Sequence, residues 1–308
     1  FDWRWSAPRL AVLAVAAHLI FFDLGGPRLW EDAGDTAAVA RNIVATGLPT
    51  AWDGRTFLDG DYGMRVVPRL FGHDLVMVGT PWLPFYATAA SFALFGESNA
   101  AARLPFAIAS LAAVALLYLF VLRATGDTRA ALAAAILLVA STQFLLYARE
   151  ARSYGFNIFF TLLLLWGFLR LGERRRDPWL VIAAVLLFHT QILPAVIALV
   201  ACAGLALFHP RFRSRLRPLL WRAPWVLAAT LPWMLVTWSA TQTNWSPLAS
   251  WLDLPGRVAQ LAVETMVAVP WLGWAVAIPI FWRRFTPRDR DLFAIAAAFL
   301  LALFALAP

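Results

Sequence analysis

Acidic side chains gather directly after the first membrane-length apolar run, in the stretch Leu29 to Gly54 that carries Glu31, Asp32, Asp35 and Asp53. Carboxylates stationed at a membrane surface suit chemistry on a lipid-borne substrate. Asp32 and Asp35 fall near the start of an expected amphipathic helix running to about Thr46, on neighbouring turns of one face. Either could instead cap that helix, accepting from its unpaired backbone amides at the positive dipole end, and for a lone acid capping is the commoner role. A second charged group lies far along the chain, in Tyr147-Ala-Arg-Glu-Ala-Arg-Ser-Tyr154. There Arg149, Glu150 and Arg152 could hold an anion, or could form a loop ion-pair network and snorkel to the headgroups. His189, between two short apolar runs, could bind a metal ion or orient a reactant; a satisfied polar group in a packed turn is the blander reading. Asp59 and Asp61 in FLDGDYG have ligand-like spacing, but Gly60 and Gly63 favour a solvated turn. Glu264 falls near the outer end of a later apolar run, where burial without a partner is costly, so it is expected to face a cavity.

The elements that must position these groups are membrane helices. Hydrophobic residues make up 61% and charged residues 14% of 308 positions, and the mean hydropathy is +0.69. Long apolar runs without strict alternation must be helices in lipid, because only helices and closed barrels satisfy their backbone there. The net charge of +8 comes with 26 basic residues, all arginine, which reads as compositional bias rather than a nucleic-acid footprint. Cys202 is the single cysteine, so a disulfide framework and a cysteine metal site are both excluded. The 16 tryptophans fit interface belts and helix packing. The Asn244-Trp245-Ser246 sequon is weak evidence for glycosylation.

Clear spans are Leu10 to Phe22, Leu104 to Leu122, Ala130 to Tyr147, Gly155 to Leu169, Trp179 to Phe188, Ile192 to Phe208, Trp225 to Trp238, Val258 to Trp282 and Leu292 to Leu306. Arginines crowd the connections around Arg123 and Arg129, Arg170 to Arg176, Arg211 to Arg222 and Arg283 to Arg290, which the positive-inside rule makes cytoplasmic. Residues 23–103 then form a long outer loop. Parity requires Leu75 to Phe95 to be interfacial or re-entrant, interrupted by Pro81 and Pro84. A loop of this length exceeds what a connector needs.

The order Leu29-Trp30, Glu31-Asp32, Asp35-Thr36-Ala37, Ala40-Arg41-Asn42, Gly47-Leu48-Pro49 and Ala51-Trp52-Asp53-Gly54 resembles the first outer loop of bacterial GT-C membrane glycosyltransferases. These are relatives of protein O-mannosyltransferases and lipid A aminoarabinose transferases. PWLPFYATAASFALFGES from Pro81, AARLPFAIASLAAVALLYL from Ala101 and LLYAREARSYGF from Leu145 resemble the same family in the same order. The resemblance covers about half the chain, from Leu29 to just past Leu171. It implies an all-α, polytopic transmembrane helix bundle whose long outer first loop bears short amphipathic helices. It also implies transfer of a sugar from a polyprenyl-phosphate carrier to a lipid, glycan or protein acceptor at the outer face of the inner membrane. The loop acid near the reacting centre carries over to Asp32, the expected general base. Relatives commonly have an Asp-Glu pair, whereas here Ala33 follows Asp32 and Glu31 precedes it. Their Pro-Pro motif is altered to Pro81-Trp82. Arg149 and Arg152 are the expected phosphate ligands, with Glu31, Asp35, Glu150 and His189 as further site candidates.

A flippase or transporter of a lipid-linked saccharide is the alternative, although the sequence lacks the two related halves with paired broken helices that such a protein favours. No cofactor is assigned and a divalent metal is left open. Membrane lipids are expected partners and nucleic acid is not. The 308 residues read as one transmembrane glycosyltransferase domain, expected to be truncated at its carboxy terminus, as relatives continue with further spans.

Overall fold

A computed structural model describes residues 7–52, 54, 58, 66–171, 177–237 and 286–306. Asp53, Asp59, Asp61, the Asn244 sequon, the span Val258 to Trp282 and Glu264 lie outside the described residues.

The centre of the bundle is α4 (Asn99–Thr125), which has 27 residues and so reaches about 40 Å at the α-helical rise, more than the ~30 Å hydrocarbon layer. Ser98 caps it by accepting from the Ala101 amide, and Gly126 in the left-handed region ends it. Pro105 sits inside this helix and cannot donate to the Ala101 carbonyl. The Ser91 hydroxyl fills that gap, donating to Ala101 O at 2.6 Å. Against α4 pack α1 (Ala7–Phe21), α3 (Leu83–Phe95), α5 (Thr128–Ala140) and α7 (Tyr154–Arg170). Two glycines permit the closest approaches. A β-carbon on Gly155 would come within 2.5 Å of Phe106 O, and one on Gly167 within 2.7 Å of the Leu180 amide of α8 (Trp179–Thr190).

The expected span Ala130 to Tyr147 is two helices, α5 and α6 (Thr142–Ala148), bent by 69° at Ser141. The Ser141 hydroxyl takes the Phe144 amide, offering the backbone an alternative to continued helix. Gln191, an extended residue, separates α8 from α9 (Ile192–Phe208). A short 3-10 turn, Arg213–Arg215, leads into α10 (Leu216–Thr237), and α11 (Pro287–Leu306) packs on α9 and α4. By length and composition α4 can cross a membrane, and up to three spans are found among the described residues if each bent pair is one. Large apolar side chains point outward, among them Ile108, Leu137, Phe208 and Trp225, as a bundle solvated by lipid requires.

Residues 23–98 hold more than helices. After α2 (Glu31–Thr46), strands β1 (Val66–Leu70) and β2 (His73–Met77) form an antiparallel hairpin, with Leu70 opposite His73. Phe71 and Gly72 both have positive φ, as a two-residue hairpin turn of the type that suits strand twist demands. The expected run Leu75 to Phe95 is therefore divided. Its start is strand, and after a short connection its end is α3, whose 13 residues reach about 20 Å, less than a span. Trp82 Nε1 donates to Met77 O at 2.7 Å and Tyr86 Oη to Gly47 O at 2.8 Å, tying hairpin, α3 and α2 together.

Candidate active site

The first acids sit on α2, which begins at Glu31 with Trp30 at its amino-terminal cap position and no side-chain capping bond. The capping role considered for Asp32 and Asp35 is thus not the one they take. Asp32 belongs to the first turn, and its carboxylate forms an ion pair with Arg152, 120 residues further on. Arg152 also lies 3.4 Å from the Tyr154 hydroxyl and over the Tyr154 ring. Both partners of the ion pair are about one-third exposed, so the pair is open to a ligand.

How α2 comes to lie against this link is decided by two arginines on other elements. Arg103, almost fully buried near the start of α4, donates to Leu24 O, Pro27 O and Arg28 O at 2.7 to 3.0 Å. Arg149 donates through one terminal nitrogen to Phe22 O and Asp23 O at 2.7 and 3.1 Å. Five carbonyls of the segment leaving α1 are thereby held by two planar cations, whose fork geometry suits several acceptors at once. In the sequence Arg103 is only the last residue of the expected outer loop 23–103. Its role depends on a contact across 75 to 79 positions, which no local pattern announces.

Glu150 lies beside these groups, within electrostatic reach of Arg103, with one carboxylate oxygen buried and without a hydrogen bond. Asp35, one turn beyond Asp32, carries no hydrogen bond among the described residues. Burial pushes its pKa above the ordinary carboxylate value, with Asp32 and Glu31 adding to the rise and Arg152 opposing it. Glu31 is exposed. His189 takes a different position. Its Nε2 lies 3.2 Å from Ala229 O in the middle of α10, and its ring meets Phe188 and Trp233 edge-on. Nearby, Asn157 donates to Gln191 at 2.6 Å, which draws the α8–α9 junction to the start of α7. Among the described residues no group of three or more His, Cys, Asp or Glu side chains is placed to hold a metal ion.

The site can orient one carboxylate and present guanidinium donors next to it, at the mouth of an apolar helix bundle. The profile described as dolichyl-phosphate-mannose-protein mannosyltransferase matches residues 79–239, just over half of the chain. The chain belongs to that mannosyltransferase family. The matched part includes the Arg149 to Arg152 link and His189, while α2 with its acids precedes it. Like the family, the chain is a multi-pass membrane protein.

Solved structures extend the likeness to nearly the whole chain. The crystal structure of ArnT from Cupriavidus metallidurans in the apo state is similar at 19% identity and a TM-score of 0.62, and that of the same protein bound to undecaprenyl phosphate at 18% and 0.60. Each match covers 96% of this chain and 54% of ArnT, so the chain spans about half the length of that protein. At this identity the likeness shows the fold: this mannosyltransferase-family chain has the helical GT-C architecture of ArnT. No curated protein sequence matches it significantly.

Proposed function

We propose that this chain is the membrane-embedded part of a glycosyltransferase that moves a sugar from a polyprenyl-phosphate carrier to a hydroxyl-bearing acceptor at the outer face of the inner membrane. The observation that carries this reading is the Asp32–Arg152 ion pair, which joins two polar segments far apart in sequence at one end of an apolar bundle in a chain of the mannosyltransferase family. The undecaprenyl phosphate bound by ArnT, a protein of the same fold, supports a lipid-phosphate donor.

In the proposed step the acceptor oxygen attacks the anomeric carbon, and the bond from that carbon to the phosphate oxygen breaks with its electron pair leaving on the phosphate. Asp32 takes the acceptor's proton, a role that requires a carboxylate within hydrogen-bond reach. Arg152 uses one terminal nitrogen on Asp32 and Arg149 uses one on the α1 exit. The other guanidinium donors of each remain to meet the phosphate, where paired charge-assisted bonds in a water-poor site stabilise the leaving group. Glu31, Asp35 and Glu150 shape the local field, and His189, packed on α10, lines the approach rather than the reacting centre.

The test is transfer from radiolabelled undecaprenyl-phosphate sugars in membranes containing the full-length parent, compared with its Asp32→Asn variant at matched expression. We expect transfer by the parent and a drop of roughly 10²- to 10⁴-fold in the variant, the usual range for a lost general base, with donor binding retained. Donor binding and translocation without transfer by the parent would instead make the protein a flippase. Undiminished transfer by the variant would remove Asp32 from the mechanism.

A further inference from the structure

Next to Arg152 stand uncharged polar side chains that the proposed step leaves unused. Asn157, near the start of α7, is the one amide in the apolar run Gly155 to Leu169, and Gln191 breaks the apolar sequence between α8 and α9 with an extended backbone. Amides are costly in such a setting unless they find partners. These two find each other: Asn157 Nδ2 donates to Gln191 Oε1 at 2.6 Å, and the Ser153 hydroxyl lies 3.4 Å from the same oxygen. The two ends of an amide are chemically unlike. With the Gln191 oxygen turned to α7, its NH2 end is the one left outside, where Gln191 is exposed and that group makes no hydrogen bond among the described residues. Asn157 Oδ1 is buried and likewise without a hydrogen bond among the described residues, so the short bond of this side chain is the one that orients Gln191. Ser153 follows Arg152 directly, which places the Gln191 amide beside the guanidinium that pairs with Asp32. Tyr154 shares a side of α7 with Asn157, three residues on. Its ring lies 4.4 Å from that of the exposed Tyr147, and Arg152 lies over it.

We infer that Gln191 binds a hydroxyl of the donor's sugar ring, and that Asn157 is the positioning residue that fixes which end of the Gln191 amide meets it. The inference rests on the lipid-phosphate donor of the proposed function and assigns the sugar its own contact. The ring is bonded directly to the phosphate proposed for Arg149 and Arg152, so its hydroxyls fall beside that phosphate, where the Gln191 amide stands. A sugar hydroxyl accepts from an NH2 group. The C–H face of the ring is apolar and suits the paired rings of Tyr147 and Tyr154, which are flat and carry polar tips. A few placed polar groups on an otherwise apolar wall are what orient a ligand. A neutral amide adds selectivity among sugars without placing further charge beside the leaving phosphate, because a site built to bond one hydroxyl rejects a ring that holds it elsewhere.

The experiment uses the full-length protein in phosphatidylcholine nanodiscs without any acceptor. Binding of undecaprenyl-phosphate mannose, glucose and galactose is compared with that of bare undecaprenyl phosphate by native mass spectrometry. We expect the parent to hold one hexosyl lipid more tightly than the others and than the bare lipid. Gln191→Ala, at an exposed position, should remove about tenfold of that advantage, the effect of one lost hydrogen bond, and leave the bare lipid unaffected. Asn157→Asp has nearly the same shape but cannot donate. It draws the Gln191 NH2 inward, so the tie between α7 and the α8–α9 junction survives with the amide reversed. This variant should level the ranking of the three sugars at a melting temperature close to that of the parent. Gln143→Ala, at an exposed amide of α6 outside this network, should change nothing. Equal weakening of hexosyl and bare lipids would reduce Gln191 to a tie between helices and overturn the proposal, as would a parent that does not distinguish them or a sugar preference that persists in Gln191→Ala. Transfer assays on the same proteins separate the two readings. Sugar-dependent binding through Gln191 in a parent that transfers nothing would sink the transferase reading and support the subsite, whereas transfer with a preference indifferent to Gln191 would sink the subsite alone.

Discussion

Asp32 and Asp35 share a helix face but not an environment. Asp32 is aimed by Arg152, whereas Asp35 is half-buried without a hydrogen bond among the described residues, and its pKa is raised, first by burial and then by its acidic neighbours. A carboxyl whose pKa is higher in the folded than in the unfolded chain binds more protons when folded, so stability falls as pH rises from the unfolded value towards the folded one. Above that window the penalty is present in full, and below it the penalty disappears. Asp35→Asn is therefore expected to raise the melting temperature of the detergent-solubilised full-length protein at neutral pH, with the gain shrinking on acidification through the window. Melting curves across pH check this, and a gain of the same size at every pH would show that charge is not its origin.

At the level of elements, the outer layer is joined to the bundle by a few polar contacts that repair breaks in the helices. Ser91 is the sharpest case, since its hydroxyl meets the carbonyl that Pro105 leaves without an intrahelical donor, and it is itself buried. Ser91→Ala leaves that carbonyl unsatisfied in an apolar setting, and a loss of about 1–3 kcal/mol is expected. Denaturant or thermal unfolding of Ser91→Ala measures it, and the double variant with Pro105→Ala should recover most of the loss, because the helix then supplies its own donor. Recovery that failed to appear would assign the Ser91 effect to packing between α3 and α4 instead.

For the whole molecule, the polar contacts divide between two ends. Asp32, Arg103, Arg149, Arg152 and Gln191 meet at one, while the arginine-rich connections meet at the other, where Arg215 bonds Leu169 O, Arg170 pairs with Asp177, and Arg211 pairs with Asp291. By the positive-inside rule, we propose that the second end is cytoplasmic. In a Cys202→Ser background, a cysteine at Ser98 should react with a membrane-impermeant thiol reagent added outside intact spheroplasts, and one at Ser214 only after the membrane is opened. The reverse pattern would invert the proposed orientation and remove the acids from the outer face.

The sequence by itself determined the class of protein and the kinds of residue at its site. Long apolar runs in lipid admit few backbone solutions, and acids or arginines stand out against a background that is 61% hydrophobic. The helix from Glu31 to Thr46 was legible from its amphipathic pattern. Strand β2 was not, because Leu75 to Met77 continue in hydropathy into the apolar residues of α3, and a short apolar run does not declare its period. Only the tertiary structure decided that Asp32 belongs with Arg152 rather than with the amides of its own helix, and that His189 belongs with α10. Arg103 gained its meaning in the same way, from carbonyls more than seventy residues away. Such pairings depend on which helix ends the packing brings level, and that is a property of the folded chain that local spacing does not carry.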